Sequence, residues 1–551
     1  MEKVQVDWKV VLQMARDSNH DSVVLMELAE EYQNHFKSLL IGEKSSKGAT
    51  NKNGDISRAL RFFLILSSCN DFQVRDIMTV RGKEFVTLLV QYLSRKNQGE
   101  QYSRKCSTLS ARLLSNLITT IYSGESAPSQ FLIDQNHYVD MIATQGSAGN
   151  RDALAAVVAS LNNSICHLSS NENPLYKREI ETVAGHKLLM SNLIRYILPV
   201  TSVTQQDGKG SNLSSVHTYD NNCSNVKENP VDDGTEWITR VISKLFHLGF
   251  FREMCTAVSA TNENKMTRLC TLEEVVLLHC IDDIIMCHIE SNMRVSDDDR
   301  IFFSRKNRNK IEDVIIFLAD EAKVVHDLYG PEPSKFTIKE QYAGEQLVSK
   351  SMHATLIDIL SSMLIVIDNF LGEDEGIYFR LCLLRRTSIL EHVIFEIKQL
   401  IDKYSSEEMT GKKIRELSKI VTEDEKRCIT TMIRLIGNLS YRCRTCQDML
   451  RKITFPLEGR QNVGLPVEIT AVHIVLSITS LSYVNFGIRE WSVVAIRNIL
   501  EDNIENQKIV EELKAQTTIQ SPELSAMGIS VDIEENGKVK VTANAAPNSK
   551  T

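Results

Sequence analysis

The chain has 551 residues and a mass of 62.3 kDa, enough for roughly three or four domains or for one long repeat array. An apolar fraction of 42%, a charged fraction of 24%, and only 24 Gly and 10 Pro exclude collagen-like and wholly low-complexity chains. The net charge of −8, from 63 basic and 71 acidic residues, gives a field that does not draw the molecule to nucleic acid or anionic membrane.

Aromatic residues make up 6% of the chain, which suits aliphatic helix packing better than an aromatic-rich sandwich. Met1 to Asp17 alternates apolar and charged residues, so no secretory signal is expected. No charge-free apolar run reaches ~18 residues, so no membrane span is expected. The nearest approach, Ile469 to Val484, carries His473 and several hydroxyl side chains. Twelve scattered Cys without a signal peptide read as reduced thiols of a cytoplasmic protein.

Apolar residues recur at three- and four-residue spacings through most of the chain, which predicts helices. Leu60, Phe63 and Leu64 form one stripe, and Leu109, Leu113, Leu114 and Leu117 a second. Val314, Phe317 and Leu318 form a third, and Leu356, Ile359, Leu360 and Met363 a fourth. Residues 201–235, rich in Ser, Asn, Asp and Gly, bury too little to offset ordering entropy and read as a disordered linker or long loop. Smaller breaks fall at 42–55, 372–376 and 404–413. The segment 471–478 is ambiguous between helix and strand, and the end of the tail beyond about residue 516 should fray.

Three segments share a pattern: ALRFFLILSSCNDFQVRDI at 59–77, IRLIGNLSYRCRTCQDML at 433–450 and AIRNILEDNIENQKIV at 495–510. Each has an early Arg in an apolar helix, then a polar turn, then Gln opening a new helix. Leu64 to Gln73, Asn438 to Gln447 and Asn498 to Gln507 are each nine residues apart. A looser copy spans 110–132. One copy cannot bury its own apolar face, and stacked copies can. The expectation is an all-α, armadillo- or HEAT-like α-solenoid in two lobes. Its parts would be an N-terminal helical lobe at 1–200, the linker at 201–235, middle helical repeats at 236–424, C-terminal repeats at 425–513 and a tail at 514–551. The 60-residue offset between Asn438 and Asn498 exceeds the ~40–47 residues of such a repeat, and the Gly- and Pro-containing stretch 454–466 can hold the excess as a loop.

IRLIGNLSYRCRTCQDML, followed by IREWSVVAIRNILEDNIENQKIVEEL at 488–513, resembles the C-terminal domain of the ataxin-10 family. The tail SPELSAMGISVDIEENGKVKV resembles that family's C-terminal extension, and 454–466 looks like an insertion. The resemblance implies an armadillo-like fold and a cytoplasmic protein, perinuclear or at the division site, that acts through protein partners in cytokinesis and cell signalling. It supplies no catalytic residues to carry over.

The residues add little chemistry. No phosphate-binding, dinucleotide, zincin, nucleophile-elbow or calcium-loop motif is present. Cys443-x-x-Cys446 lacks the second pair of a structural zinc site and reads as packing. His279, Cys280, Cys287 and His288 look like ligands, but at ~100° per residue the two His lie on opposite sides of a helix. Trp491 is expected in the core, locking the last repeats.

Candidate protein-binding residues are of two kinds. Asn438 and Asn498, with Arg497 beside them, could hold an extended peptide as an Asn ladder does, since an amide both donates and accepts. Their competing role is to hydrogen-bond the repeat's own corner. Arg305, Lys306 and Arg308, beyond Asp297-Asp298-Asp299, form either an electrostatic docking patch or a solvated connector. Catalytic residues, cofactors, metals and nucleic acid are not expected, and homo-oligomerisation is left open. The reading is a non-enzymatic scaffold. The alternatives are a solenoid regulator of a GTPase and a transport or cargo adaptor.

Overall fold

A computed structural model describes residues 60–61, 63–64, 72–94, 102–122, 131–170, 174–197, 233–262, 267–290, 302–329, 343–405, 422–456, 468–479, 486–513, 529–533 and 539–543. Eighteen α-helices dominate these residues, and the strands are three short antiparallel pairs. The architecture is an all-α solenoid, and the chain divides into two compact units. The first comprises residues 1–317 and 338–355, and the second residues 318–337 and 356–551. The expected linker at 201–235 therefore falls within the first unit; its residues 201–232 lie outside the described residues.

The first unit contains α1 (Phe72–Leu93), α2 (Tyr102–Tyr122), α3 (Gln135–Ser147), α4 (Arg151–Ser169), α5 (Pro174–Ala184) and α6 (Lys187–Ile197). It continues through α7 (Asp233–His247), α8 (Phe251–Val258), the hairpin β1 (Ala260–Asn262) and β2 (Thr267–Leu269), and α9 (Leu272–Glu290). Helices α1, α2, α4, α7 and α9 pack in sequence as one layer, while α3, α6 and α8 form another. Of the predicted stripe, Leu113, Leu114 and Leu117 are fully buried and Leu109 is half-buried. Helix α4 starts where the Asn150 side chain accepts from the Ala153 N–H, and α3 where Asp134 accepts from the Asn136 N–H.

Helices α10 (Arg308–Tyr329) and α11 (Ala343–Leu371) are shared between the two units. Within α11, Ser351–Leu371 is long and apolar enough to cross a membrane, a stretch the charge-free criterion passes over because of Asp358 and Asp368. Of its most apolar window 72% is buried inside the protein, as in a core helix.

The second unit goes on with α12 (Glu373–Arg386), α13 (Ile389–Ser405), α14 (Glu423–Ser440), α15 (Arg444–Lys452), the pair β3 (Thr454–Pro456) and β4 (Glu468–Thr470), and α16 (Ala471–Ile478). After these come α17 (Phe486–Leu500), α18 (Ile504–Glu511) and the hairpin β5 (Ile529–Ile533) and β6 (Val539–Ala543). The unit repeats every three helices. Helices α12, α15 and α18 form one row, α13 and α16 a second, and α14 and α17 a third. The segment 454–466 opens with a strand that pairs with β4, so the excess length of the last repeat leaves the helices through a β-ladder. The ambiguous 471–478 is helix α16, capped by Thr470 and His473. The acidic stretch at 372–376 breaks the chain only at Gly372, whose φ of 89° suits glycine. Its three acids then form the first turn of α12, where the helix dipole favours them.

Candidate functional site

Four corners of the molecule share one stereochemistry. A helix ends, one residue follows, the next takes a left-handed conformation, and the third caps a new helix. The left-handed residues are Gly149, Gly249, Arg442 and Asp502, with φ of 63°, 87°, 49° and 53°. Arg442 and Asp502 hold equivalent places in the two C-terminal repeats, after α14 and after α17. The shared turn gives the sequence repeat its constant spacing.

Buried amides bind these corners together. Gln447 on α15 donates from Nε2 to the Asn498 carbonyl at 2.8 Å, satisfying a carbonyl near the end of α17 that has no partner farther along its helix. Arg380 on α12 does the same for α14, donating from Nε to the Asn438 carbonyl at 2.7 Å. Its other nitrogens grip Asp368 at 2.8 and 2.5 Å, and the Arg380 side chain is 2% exposed. Asn506 donates to the carbonyls of Gln447 and Ile499, and Asn503 to the side chains of Gln447 and Asp448. Both Asn side chains are fully buried. Gly437 lets α14 and α17 close: a Cβ there would stand 3.3 Å from the Ala495 Cα.

This clamp fixes a surface on α14 and α17. Arg434 of α14 pairs with Asp358 and donates to the Asp358 carbonyl and the Ser361 and Ser362 hydroxyls. Burial pushes the Asp358 carboxyl up, and the neighbouring Arg434 and Arg427 partly oppose that. The Arg434 guanidinium also lies over the Trp491 ring, 5.8 Å from its centre. A cleft of about 300 Å³ opens here, lined by Asp358, Arg427, Thr430, Arg434 and Trp491 among others. On the far side of Trp491, a shallow depression of about 600 Å³ is lined by Arg489, Glu490, Val493 and Val494. Val493 is 57% exposed and Val494 37%. An anchored aromatic ring between a charged cleft and exposed valines has the composition of a protein-docking site, where Trp and Arg carry most binding energy.

Trp491 is thus half-buried on a surface rather than locked in the core, because α17 turns Ile488, Ser492 and Ala495 inward instead. Asn438 and Asn498, read as candidate docking side chains, are instead 9% and 5% exposed. Asn438 donates to Ser361 and Asn498 to the Gly437 carbonyl, so both amides serve contacts between neighbouring helices. Arg497 is exposed at the end of α17. Arg305 and Lys306 are exposed in a short 3-10 turn, and Arg308 is half-buried at the start of α10, all three in the first unit. Asp297, Asp298 and Asp299 lie outside the described residues.

Cys443 and Cys446 are buried in the corner before and within α15. Burial pushes both thiols up, which disfavours the reactive thiolate. On α9, burial with help from Asp283 pushes the Cys280 thiol up to about 12. His288 pairs with His247 of α7, their Nε2 atoms 2.9 Å apart, while Cys287 is exposed on the same helix. The residues with metal-ligand geometry among those described are His326, His392 and Glu396, which the sequence did not single out.

Comparison with known proteins covers the C-terminal part of the clamp, α17 and α18. A family model described as the spinocerebellar ataxia type 10 protein domain matches residues 460–542. An ataxin-10 homolog from Dictyostelium discoideum is 35% identical over 123 residues, covering 22% of this chain and 18% of that protein. Ataxin-10 from Bos taurus is 31% identical over 101 residues, 18% of either chain, and ataxin-10 from Homo sapiens 29% identical over the same length. The matched stretch thus spans about a fifth of the curated relatives' length.

Proposed function

We propose that this chain, whose C-terminal segment matches the ataxin-10 family, is a non-enzymatic scaffold whose partners dock on the α14–α17 surface around Trp491. The observation that carries this reading is Trp491 itself, half-buried, covered by a fixed Arg434 and flanked by exposed Val493 and Val494. Such a surface offers a rigid aromatic anchor, an apolar rim and, in Lys426, Arg427, Arg434 and Arg489, basic groups among the acids. It suits a partner segment carrying an apolar side chain beside an acidic one. A solenoid provides this binding area without a deep pocket. The setting is the cytoplasm of dividing cells, in cytokinesis and the signalling around it.

Affinity purification of the full chain from dividing cells, beside a Val493→Asp variant, tests the reading. Val493 is exposed, so the variant keeps its fold and melts like the parent. Loss of specific partners from that variant is expected. A partner set that is identical in both would place docking elsewhere.

A further inference from the structure

His326 stands two turns into the C-terminal half of α10, while His392 and Glu396 lie one turn apart on α13. Both ring Nε2 atoms approach the same carboxylate oxygen, Glu396 Oε2, at 4.0 Å from His326 and 3.9 Å from His392. The two rings meet edge to face with centres 4.4 Å apart. The three potential donor atoms lie within 4.8 Å of one another. Their side chains are 14%, 7% and 12% exposed, which shelters the cluster yet leaves it reachable from solvent.

We infer that these residues form a binding site for a divalent transition metal, zinc being the ion they fit best. Two imidazoles and one carboxylate are a zinc donor set, whereas magnesium and calcium take oxygen ligands. The spacing of His392 and Glu396 lets one helix turn chelate the ion, as in zinc helices with ligands at i and i+4. Tetrahedral zinc at ~2.0–2.1 Å from each ligand needs donors about 3.3 Å apart, so each His–Glu396 distance shortens by about 0.6–0.7 Å as the ion enters, and the two imidazole nitrogens close to the same separation. Asp327 is placed to give outer support once its side chain closes in: its Oδ1 is 3.7 Å from His326 Nδ1, the ring nitrogen away from Glu396. A metal-bound His commonly gives that second N–H to a carboxylate, which fixes its tautomer. Water completes the fourth position.

The ion would pin the end of α10 to α13. The same two helices are joined by Lys323, whose Nζ donates to the Ser388 hydroxyl at 3.2 Å. This role is independent of partner docking at Trp491 and survives if docking proves to lie elsewhere.

The test is calorimetric titration of zinc into the chelator-stripped, reduced full chain, with cobalt(II) absorption as a second readout. One equivalent should bind, with a cobalt spectrum lacking thiolate charge transfer, since the ligands are nitrogen and oxygen. Glu396→Gln and His392→Ala should each weaken binding by at least about 10-fold and abolish the rise in melting temperature that zinc gives the parent. Should His392→Ala fail to fold, the near-isosteric Glu396→Gln decides alone. Absence of binding to the parent, affinity unchanged by Glu396→Gln, or a thiolate band from the cysteines would each overturn the inference.

Discussion

Helices α2 and α4 pack with Leu113, Leu117, Leu154 and Leu161 fully buried. Their amide ties are few: Asn150 donates to the Arg104 carbonyl, and Gln145 of α3 to the Leu93 carbonyl of α1. Helices α14 and α17 also pack together, and the ends of this pair are tied by a denser set, Arg380, Asn438, Gln447, Asn498, Asn503 and Asn506, all buried and all hydrogen-bonded to backbone or to one another. Part of the denser set falls in the matched segment 460–542, which holds Asn498, Asn503 and Asn506. Aliphatic packing tolerates many side chains of similar volume, so it leaves a periodicity and no motif. A buried amide must meet particular carbonyls, so its type and position are restricted. Asn498 and Asn506, within the matched segment, belong to this second kind, each buried and donating to a main-chain carbonyl.

The comparison breaks most severely at Gly376. A Cβ there would stand 1.8 Å from Asp368 Oδ1 and 2.7 Å from Arg380 Nη1. Gly376→Ala should separate the pair, strand a buried guanidinium and cost about 3–5 kcal/mol, measured by denaturant unfolding. Next in size, Asn506→Ala should cost about 1–3 kcal/mol by leaving the Gln447 and Ile499 carbonyls without this donor. In the first unit, Leu117→Met should cost less than about 1.5 kcal/mol, since volume is kept and no polar group is left unmet. Equal tolerance of amide-to-apolar and apolar-to-apolar swaps would erase the contrast.

Trp491→Ala should be milder than a core deletion. The ring is half-buried, and the stacked Arg434 keeps its ion pair with Asp358, so the expected loss is about 1 kcal/mol, read from the melting curve. The smallest effect is one of pH. His473 Nδ1 accepts from the Thr470 N–H at 3.2 Å, closing the cap of α16. Burial holds this imidazole below its ordinary range, opposed in part by Glu512. The neutral ring therefore contributes stability that is present above the unfolded value of ~6.5 and is lost as pH falls through the folded value. The melting temperature should decline on acidification below pH ~6.5, and His473→Gln, which can keep the cap without titrating, should flatten that decline.

Helix periodicity, the corner spacing and the long C-terminal repeat were legible in the sequence because each is local. The equivalence of Asn438 and Asn498 was legible too, but which side of the stack they face depends on Ser361 and Gly437, distant in sequence. The side-chain trio His326, His392 and Glu396 is hidden for the same reason. The β5–β6 hairpin had a local signal that the polar character of the tail obscured: Asn536-Gly537 between alternating β-branched runs. Trp491 misled by size alone, since a large apolar ring reads as core unless its helix's neighbours are known.

The most direct measurement of the docking surface is photo-crosslinking in dividing cells, with benzoylphenylalanine placed at Val493 and, as control, at Leu175. Both positions are exposed, at 57% and 60%, so the probe disturbs neither fold. Discrete adducts at Val493 and none at Leu175 are the predicted result. Adducts at Leu175 alone, or the same adducts at both positions, would contradict a docking surface on α14 and α17.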